Sequence, residues 1–260
     1  YASLDIGAMA EVSGPESLRK LGVPVKPLGP FADRWSAFVS QVETGKLPPH
    51  AAVLGAGTAG VELALSMKYR LDKLGLSRPV HVSLIERGTD LLPGGNASMR
   101  ALLQRELNRA GVAIFTGETV ADADESGLRL ASREDVPAGF VALATGARPQ
   151  AWLTGTGLTL HDGFVSVGQT LQSVSHPHVF ACGDTAHLSF DPRPKAGVFA
   201  VRQGAVLAEQ IIRLAANQPL AQYYPQKDYL KLVSLGRRRA IAEKWGVTLT
   251  CPPSVDRAIL

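Results

Sequence analysis

The chain has 260 residues, 45% of them hydrophobic, with a net charge of +4 and two cysteines, enough to bury a sizeable core in one large or two modest domains. Cys182 and Cys251 form no CxxC pair, which sets aside a disulfide scaffold and a dithiol redox centre, so electrons would have to travel through a bound cofactor. The densest basic run, Arg237-Arg238-Arg239, is short and lacks the interleaved aromatics of a nucleic-acid platform, no stretch approaches the roughly 20 apolar residues of a membrane helix, and the first residues lack the regions of a secretory signal, so a cytoplasmic location is expected.

The elements follow in chain order. Tyr1 to Ala10 alternates and reaches Gly7 like a strand entering a tight turn, and a proline-punctuated connection runs from Ser13 to Pro30. Phe31, Trp35, Phe38, Val39 and Val42 then recur at helical spacing up to Thr44. After the Lys46-Leu47-Pro48-Pro49 linker, strands and helices alternate: strand Ala51–Leu54, helix Ala59–Lys73, strand Val80–Ile85, helix Ser98–Ala110 and strand Val112–Phe115. That alternation predicts a parallel sheet covered on both faces. Glu118 to Ser132 reads as a hairpin, and Phe140 to Ala144 as a strand entering Thr145-Gly146. A loop-rich stretch follows Pro149 as far as the strand Val179-Phe180-Ala181. Gly197 to Ala216 then predicts one long helix with Val198, Val201, Ala205, Ala208 and Ile212 on its packed side. The tail, Tyr229 to Thr250, alternates like a small antiparallel cap, and Pro252-Pro253 breaks any helix after it.

Chemistry concentrates at Val53-Leu54-Gly55-Ala56-Gly57-Thr58-Ala59-Gly60-Val61-Glu62, a GxGxxG set between a predicted strand and a predicted helix. Gly55 allows the tight turn, Gly57 the approach of a pyrophosphate to the backbone, and Gly60 close packing of helix on strand. The N–H groups that open the helix, from Thr58 and Ala59 onward, then face the phosphates. The next strand ends in Glu86, placed to accept hydrogen bonds from adenosine ribose hydroxyls and to repel a 2′-phosphate. This favours NADH over NADPH, although the adjacent Arg87 could turn and reverse the preference. Of the histidines, His176, His178 and His187 show no helical or cysteine-supported ligand spacing, so no metal is expected.

Three further runs carry a resemblance. Ala144-Thr145-Gly146-Ala147-Arg148-Pro149, Gly163 to Gly168, and Val179-Phe180-Ala181-Cys182-Gly183-Asp184 resemble, in order and spacing, motifs of the pyridine nucleotide-disulfide oxidoreductase superfamily. The resemblance implies a Rossmann-like three-layer α/β dinucleotide-binding domain inserted into a partial FAD-binding domain. The expected boundaries are 1–47 and 150–218 for the two flavin pieces, 48–149 for the NAD(P) domain, and 219–260 for an incomplete C-terminal cap. It also implies that the chain is a fragment whose flavin domain begins upstream of Tyr1. Asp184 and Gly183 would contact the flavin ribityl chain. Lys195-Ala196-Gly197-Val198 would aim a helix N-terminus and a lysine at the flavin edge that becomes negative on reduction.

Within the superfamily the missing CxxC points to the type II NADH dehydrogenase group. The runs Leu4 to Gly7, Pro194 to Val198 and Ala200 to Gly204 resemble the oxidoreductase module associated with selenide, water dikinase. By this resemblance hydride passes from NADH to FAD and on to a quinone or a selenium compound. Glu62 would approach the nicotinamide or the acceptor channel, and peripheral membrane contact and a homodimer are left open. A solvated carboxylate is the plainer reading of Glu62, and a buried packing residue that of Cys182. The alternative function is a non-enzymatic module that senses NADH for a fused or partner enzyme.

Overall fold

A computed structural model of the chain describes residues 1–236 and 239–251. Arg237, Arg238 and the Pro252-Pro253 break lie outside the described residues. The chain divides into two compact units, Tyr1–Met9 with Ala147–Tyr229, and Ala10–Gly146 with Leu230–Leu260.

In the second unit the parallel sheet expected from the alternation has five strands in the order Val23–Pro24, Phe140–Leu143, His50–Leu54, His81–Glu86, Val112–Thr116. Both faces of its central strand are buried. Ala51 and Val53 pack with the helices α2 (Leu28–Glu43), α3 (Thr58–Asp72) and α4 (Ala97–Ala110). Ala52 and Leu54 pack with Leu18 of the short helix α1 (Glu16–Leu21) and with Leu128, Leu130 and Val136 of a three-stranded antiparallel sheet. A continuous apolar run is what a strand covered on both sides requires. The chain enters α4 through Asn96, whose side chain accepts from Met99 N at 2.7 Å, and leaves it through Gly111 in the left-handed conformation.

Several boundaries differ from the sequence expectation. Residues 10–47, expected in the first flavin piece, belong to the second unit. The supposed connection holds α1 and the edge strand Val23–Pro24, and Phe31, Trp35 and Phe38 of α2 gather round Phe140 with ring centroids 5.9, 5.2 and 5.4 Å away. This aromatic cluster ties the segment to the parallel sheet. The expected hairpin gains a third strand, Asp135–Pro137, and the Ala147-Arg148-Pro149 end of the expected NAD(P) domain falls in the first unit.

The cap is three antiparallel strands, Lys231–Ser234, Ala240–Lys244 and Val247–Cys251, and it is part of the second unit. Its Val233, Leu235 and Ile241 are buried in the same cluster as the helices. Arg239 donates to both carboxylate oxygens of Glu106 on α4, at 2.9 and 3.2 Å. Residues 219–229, assigned to the cap from sequence, lie in the first unit instead.

In the first unit, Ala2–Leu4 pairs in parallel with Val179–Ala181, and the loop-rich stretch supplies the strands Leu160–His161 and Phe164–Val167. The long helix α5 (Gly197–Ala215) turns a different face inward from the one its aliphatic residues suggest. Phe199, Gln203, Leu207 and Gln210 are buried, whereas Val201 is 77% and Ile212 68% exposed. The two buried amides are satisfied: Gln203 accepts from Gly183 N at 2.8 Å, and Gln210 accepts from Ala221 N at 2.9 Å and donates to Thr170 O at 3.2 Å. Burial of a polar side chain is tolerated when it is hydrogen-bonded in this way.

Candidate functional site

The three glycines of the loop are required for three different reasons. Gly55 turns with φ +96°, and a Cβ there would lie 2.5 Å from the Ala144 carbonyl oxygen. At Gly60, which is buried, a Cβ would lie 1.7 Å from the Gly55 carbonyl oxygen, so the helix could not approach the strand. Gly57 has an ordinary φ of −66°, and a Cβ there would meet nothing within 4 Å. Its missing side chain therefore leaves space open rather than relieving a clash. Gly57 is also the N-cap of α3 and no side chain caps the helix. The donors of the first turn, from Thr58, Ala59 and Gly60, and the positive end of the helix are left for a ligand.

Glu86 closes its strand beside this loop with both carboxylate oxygens held: Oε2 accepts from Ala56 N at 2.7 Å and Oε1 from Gly88 N at 2.8 Å. A cleft of ≈ 500 Å³ opens here, lined by Gly55, Gly57, Glu86, Arg87, Thr145 and Gly146, all expected from the sequence. Thr58 and Ala59 stand exposed beside it in the helix turn. The Thr145 hydroxyl donates to Glu11 O at 2.6 Å, and Glu11 N donates to Gly146 O at 3.1 Å.

Glu11, Ser13 and Gly14 therefore also line the cleft, as do Glu118, Thr119 and Val120. Sequence reasoning missed both groups. The first lay in a presumed connection and reaches the site only through pairing more than 130 residues away, and the second lay in a presumed hairpin. In chemical terms the cleft offers amides and a helix terminus for an anion such as a diphosphate, and fixed carboxylates for hydroxyl groups. A dinucleotide fits that set.

Glu62, expected from the resemblance near the nicotinamide or the acceptor channel, lies on α3 and reaches the cap. Its carboxylate accepts from Ser234 N at 2.8 Å, joining α3 to the cap, and burial raises its pKa against the lowering effect of that amide.

In the first unit, Gly183 and Asp184 follow the Val179–Ala181 strand in a short 3-10 turn. Gly183 has φ +65°, and a Cβ there would lie 2.6 Å from Asp5 Oδ1. Ala196 caps α5 without a side-chain hydrogen bond, leaving the amides of Gly197 and Val198 at an open helix terminus. Lys195 turns its ammonium onto the Ala186 carbonyl and over the Phe164 ring, 3.9 Å from the centroid. Burial lowers its pKa to about 8, with the Asp184 carboxylate opposing. The cavity that Gly183, Asp184, Lys195 and Ala196 share is ≈ 10 Å³, so they present a surface rather than a deep pocket. Cys182 is fully buried, and burial followed by the Asp5 carboxylate pushes its thiol up to about 12, which suits packing and not redox chemistry. The donor set fits the ribityl and ring edge of a flavin: a carboxylate, a lysine and an uncapped helix terminus.

Comparison with known proteins places the chain in a family. The family profile for pyridine nucleotide-disulphide oxidoreductases matches residues 16–204. A dihydrolipoyl dehydrogenase of Pseudomonas aeruginosa is 29% identical over 199 residues, covering 73% of this chain and 39% of that enzyme. A type II NADH:quinone oxidoreductase of Haemophilus influenzae is 27% identical over 210 residues, 73% of this chain and 45% of that enzyme. The chain thus spans less than half the length of these relatives. The solved structure of NDH2 from Plasmodium falciparum in complex with NADH superposes with a TM-score of 0.82 over 99% of this chain and 72% of that one, at 13% identity, and so shares its fold. The match over residues 16–204, with the glycine loop inside it, makes this chain a member of the pyridine nucleotide-disulphide oxidoreductase family.

Proposed function

We propose that the chain is the dinucleotide-binding part of an FAD-dependent NADH:acceptor oxidoreductase, with a quinone as the acceptor class. The observation that carries this reading is Gly57, which opens onto a ≈ 500 Å³ cleft in front of an uncapped helix, with Glu86 fixed at its side. The loop amides would hold the diphosphate of NADH, and Glu86 the ribose hydroxyls of its adenosine half. Glu86 supports NADH over NADPH. FAD, when bound, would supply two-electron chemistry. Asp184 would hold the flavin chain, and Lys195 with Gly197 and Val198 would stabilise negative charge at the ring edge.

Glu62 serves as a clamp for the cap in this reading. The quinone assignment draws on the Haemophilus influenzae relative, named as a type II NADH:quinone oxidoreductase. Peripheral contact with the membrane that holds such an acceptor belongs to the same proposal; no helix among the described residues is long and apolar enough to cross one. Fluorescence titration of the chain with NADH, followed by anaerobic addition of NADH to the flavin-loaded protein that carries a complete FAD-binding domain, tests the reading; the chain alone, with only part of that domain, is expected to be inactive. Saturable NADH binding and bleaching of flavin absorbance are expected. NADH binding without any flavin response would leave a binding module and overturn the oxidoreductase assignment.

A further inference from the structure

Glu86 is the acid that the loop pattern marks for cofactor choice, but the structure limits what it does alone. Both its oxygens are occupied by backbone amides, from Ala56 and Gly88, which fix its position and offset part of its charge. The next residue, Arg87, is exposed, lines the same cleft, and is held by neither Glu86 nor Glu118 in an ion pair among the described residues. Glu86 and Arg87 together are formally neutral. On that account alone the adenosine end would discriminate weakly against a 2′-phosphate, which an arginine can grip in bidentate fashion.

Glu118 changes the balance. Its N–H donates to Glu86 O at 3.0 Å, and the preceding Gly117 N–H donates to Gly88 O at 2.8 Å, so the backbone of 117–118 is tied alongside 86–88. The Glu118 side chain lines the cleft with Glu86 and Arg87. Among the described residues its carboxylate takes one protein hydrogen bond, a long one of 3.4 Å from Ser132 N to Oε2. It is a half-buried anion lining the same cleft as Arg87, the one cationic residue among that cleft's lining residues, and it would make the end of the cleft beside Glu86 and Arg87 net negative.

We propose that Glu118 is a second specificity-determining residue, which together with Glu86 excludes dinucleotides phosphorylated on the adenosine ribose and admits unphosphorylated ones. The inference rests on the dinucleotide-binding reading of the cleft and adds the residue that sets its charge. A doubly charged phosphate beside Glu118 would be repelled, whereas a hydroxyl would find an acceptor. Because the end of the cleft is open to solvent, the repulsion is partly screened and should weaken with added salt.

Equilibrium fluorescence titrations with NADH and with NADPH, on the unmodified chain and on Glu118→Gln, test this directly. Glutamine keeps the shape and the hydrogen-bonding oxygen and removes the charge, and unchanged thermal unfolding would confirm an intact fold. The expected result is a ratio of NADPH to NADH Kd about fivefold or more lower than that of the unmodified chain, the size of a screened charge interaction. Raising the salt should narrow the NADH preference of the unmodified chain and leave that of Glu118→Gln little changed. An unaltered ratio in Glu118→Gln, or equal changes for both dinucleotides, would overturn the specificity role while leaving the nucleotide site standing. Failure of the unmodified chain to bind either dinucleotide would overturn the site itself, and this inference with it.

Discussion

Replacing Gly57 with valine separates the fold of the glycine loop from its function. The backbone at 57 has φ −66° and ψ −179°, which a β-branched residue adopts without strain, and a Cβ there meets nothing within 4 Å. Stability should therefore fall by no more than about 1 kcal/mol, the N-cap preference for glycine over valine being offset in part by the loss of glycine's freedom in the unfolded chain. Binding should not survive. The valine side chain occupies the space in front of α3, where a diphosphate would meet the first-turn amides. Losing on the order of two charge-assisted hydrogen bonds, at ~1.5–3 kcal/mol each, weakens the Kd at least about 100-fold. Urea unfolding and NADH fluorescence titration on the same preparation read the two quantities. A Gly57→Val protein that binds NADH normally would refute the placement of the diphosphate, and one that unfolds would refute the claim that the space is empty of protein.

The other positions give contrasting outcomes. Gly60→Ala should fail by the opposite route, losing several kcal/mol of stability because its Cβ would sit 1.7 Å from the Gly55 carbonyl oxygen, a clash seen as a lowered urea midpoint. Glu62→Gln should keep the cap docked, since an amide oxygen still accepts from Ser234 N, whereas Glu62→Ala should increase amide hydrogen exchange across 231–234. Glu62's folded pKa is raised, so the folded state holds its proton more tightly and stability falls as pH rises above the ordinary carboxylate value of 4.5. Glu62→Gln should flatten that part of the pH–stability curve. Lys195 carries the reverse sign: with its pKa lowered from 10.5 to about 8, the unfolded chain binds more protons between those values, and stability should rise with pH across that window. Lys195→Met should remove the rise, measured by chemical unfolding at a series of pH values.

The glycine loop was legible because its constraints are local. Strand, turn and helix are consecutive from His50 to Asp72, and Gly55 and Gly60 answer to a neighbour within that run or to the turn at Ala144–Thr145. What escaped was set by distant partners. Glu11 looked like part of a linker until Gly146 and Thr145 fixed its backbone, and Glu118 looked like a hairpin residue until its amide met Glu86. The face of α5 was misread for a related reason. Periodicity ranks Val201 and Ile212 above Gln203 and Gln210, but the glutamines find buried backbone partners at Gly183, Thr170 and Ala221, and no hydropathy pattern encodes those bonds. The segment 10–47 joined the second unit through Phe140, a residue that gives no sign in the sequence of which helix it will meet.

The central claim is that NADH binds at the glycine loop, and amide chemical-shift perturbation on the isotope-labelled chain tests it most directly. Saturable shifts on adding NADH, concentrated at Gly55–Gly60, Glu86–Gly88 and Thr145–Gly146, are the predicted result. Saturation without shifts at those amides, or no shifts at any concentration, would contradict it.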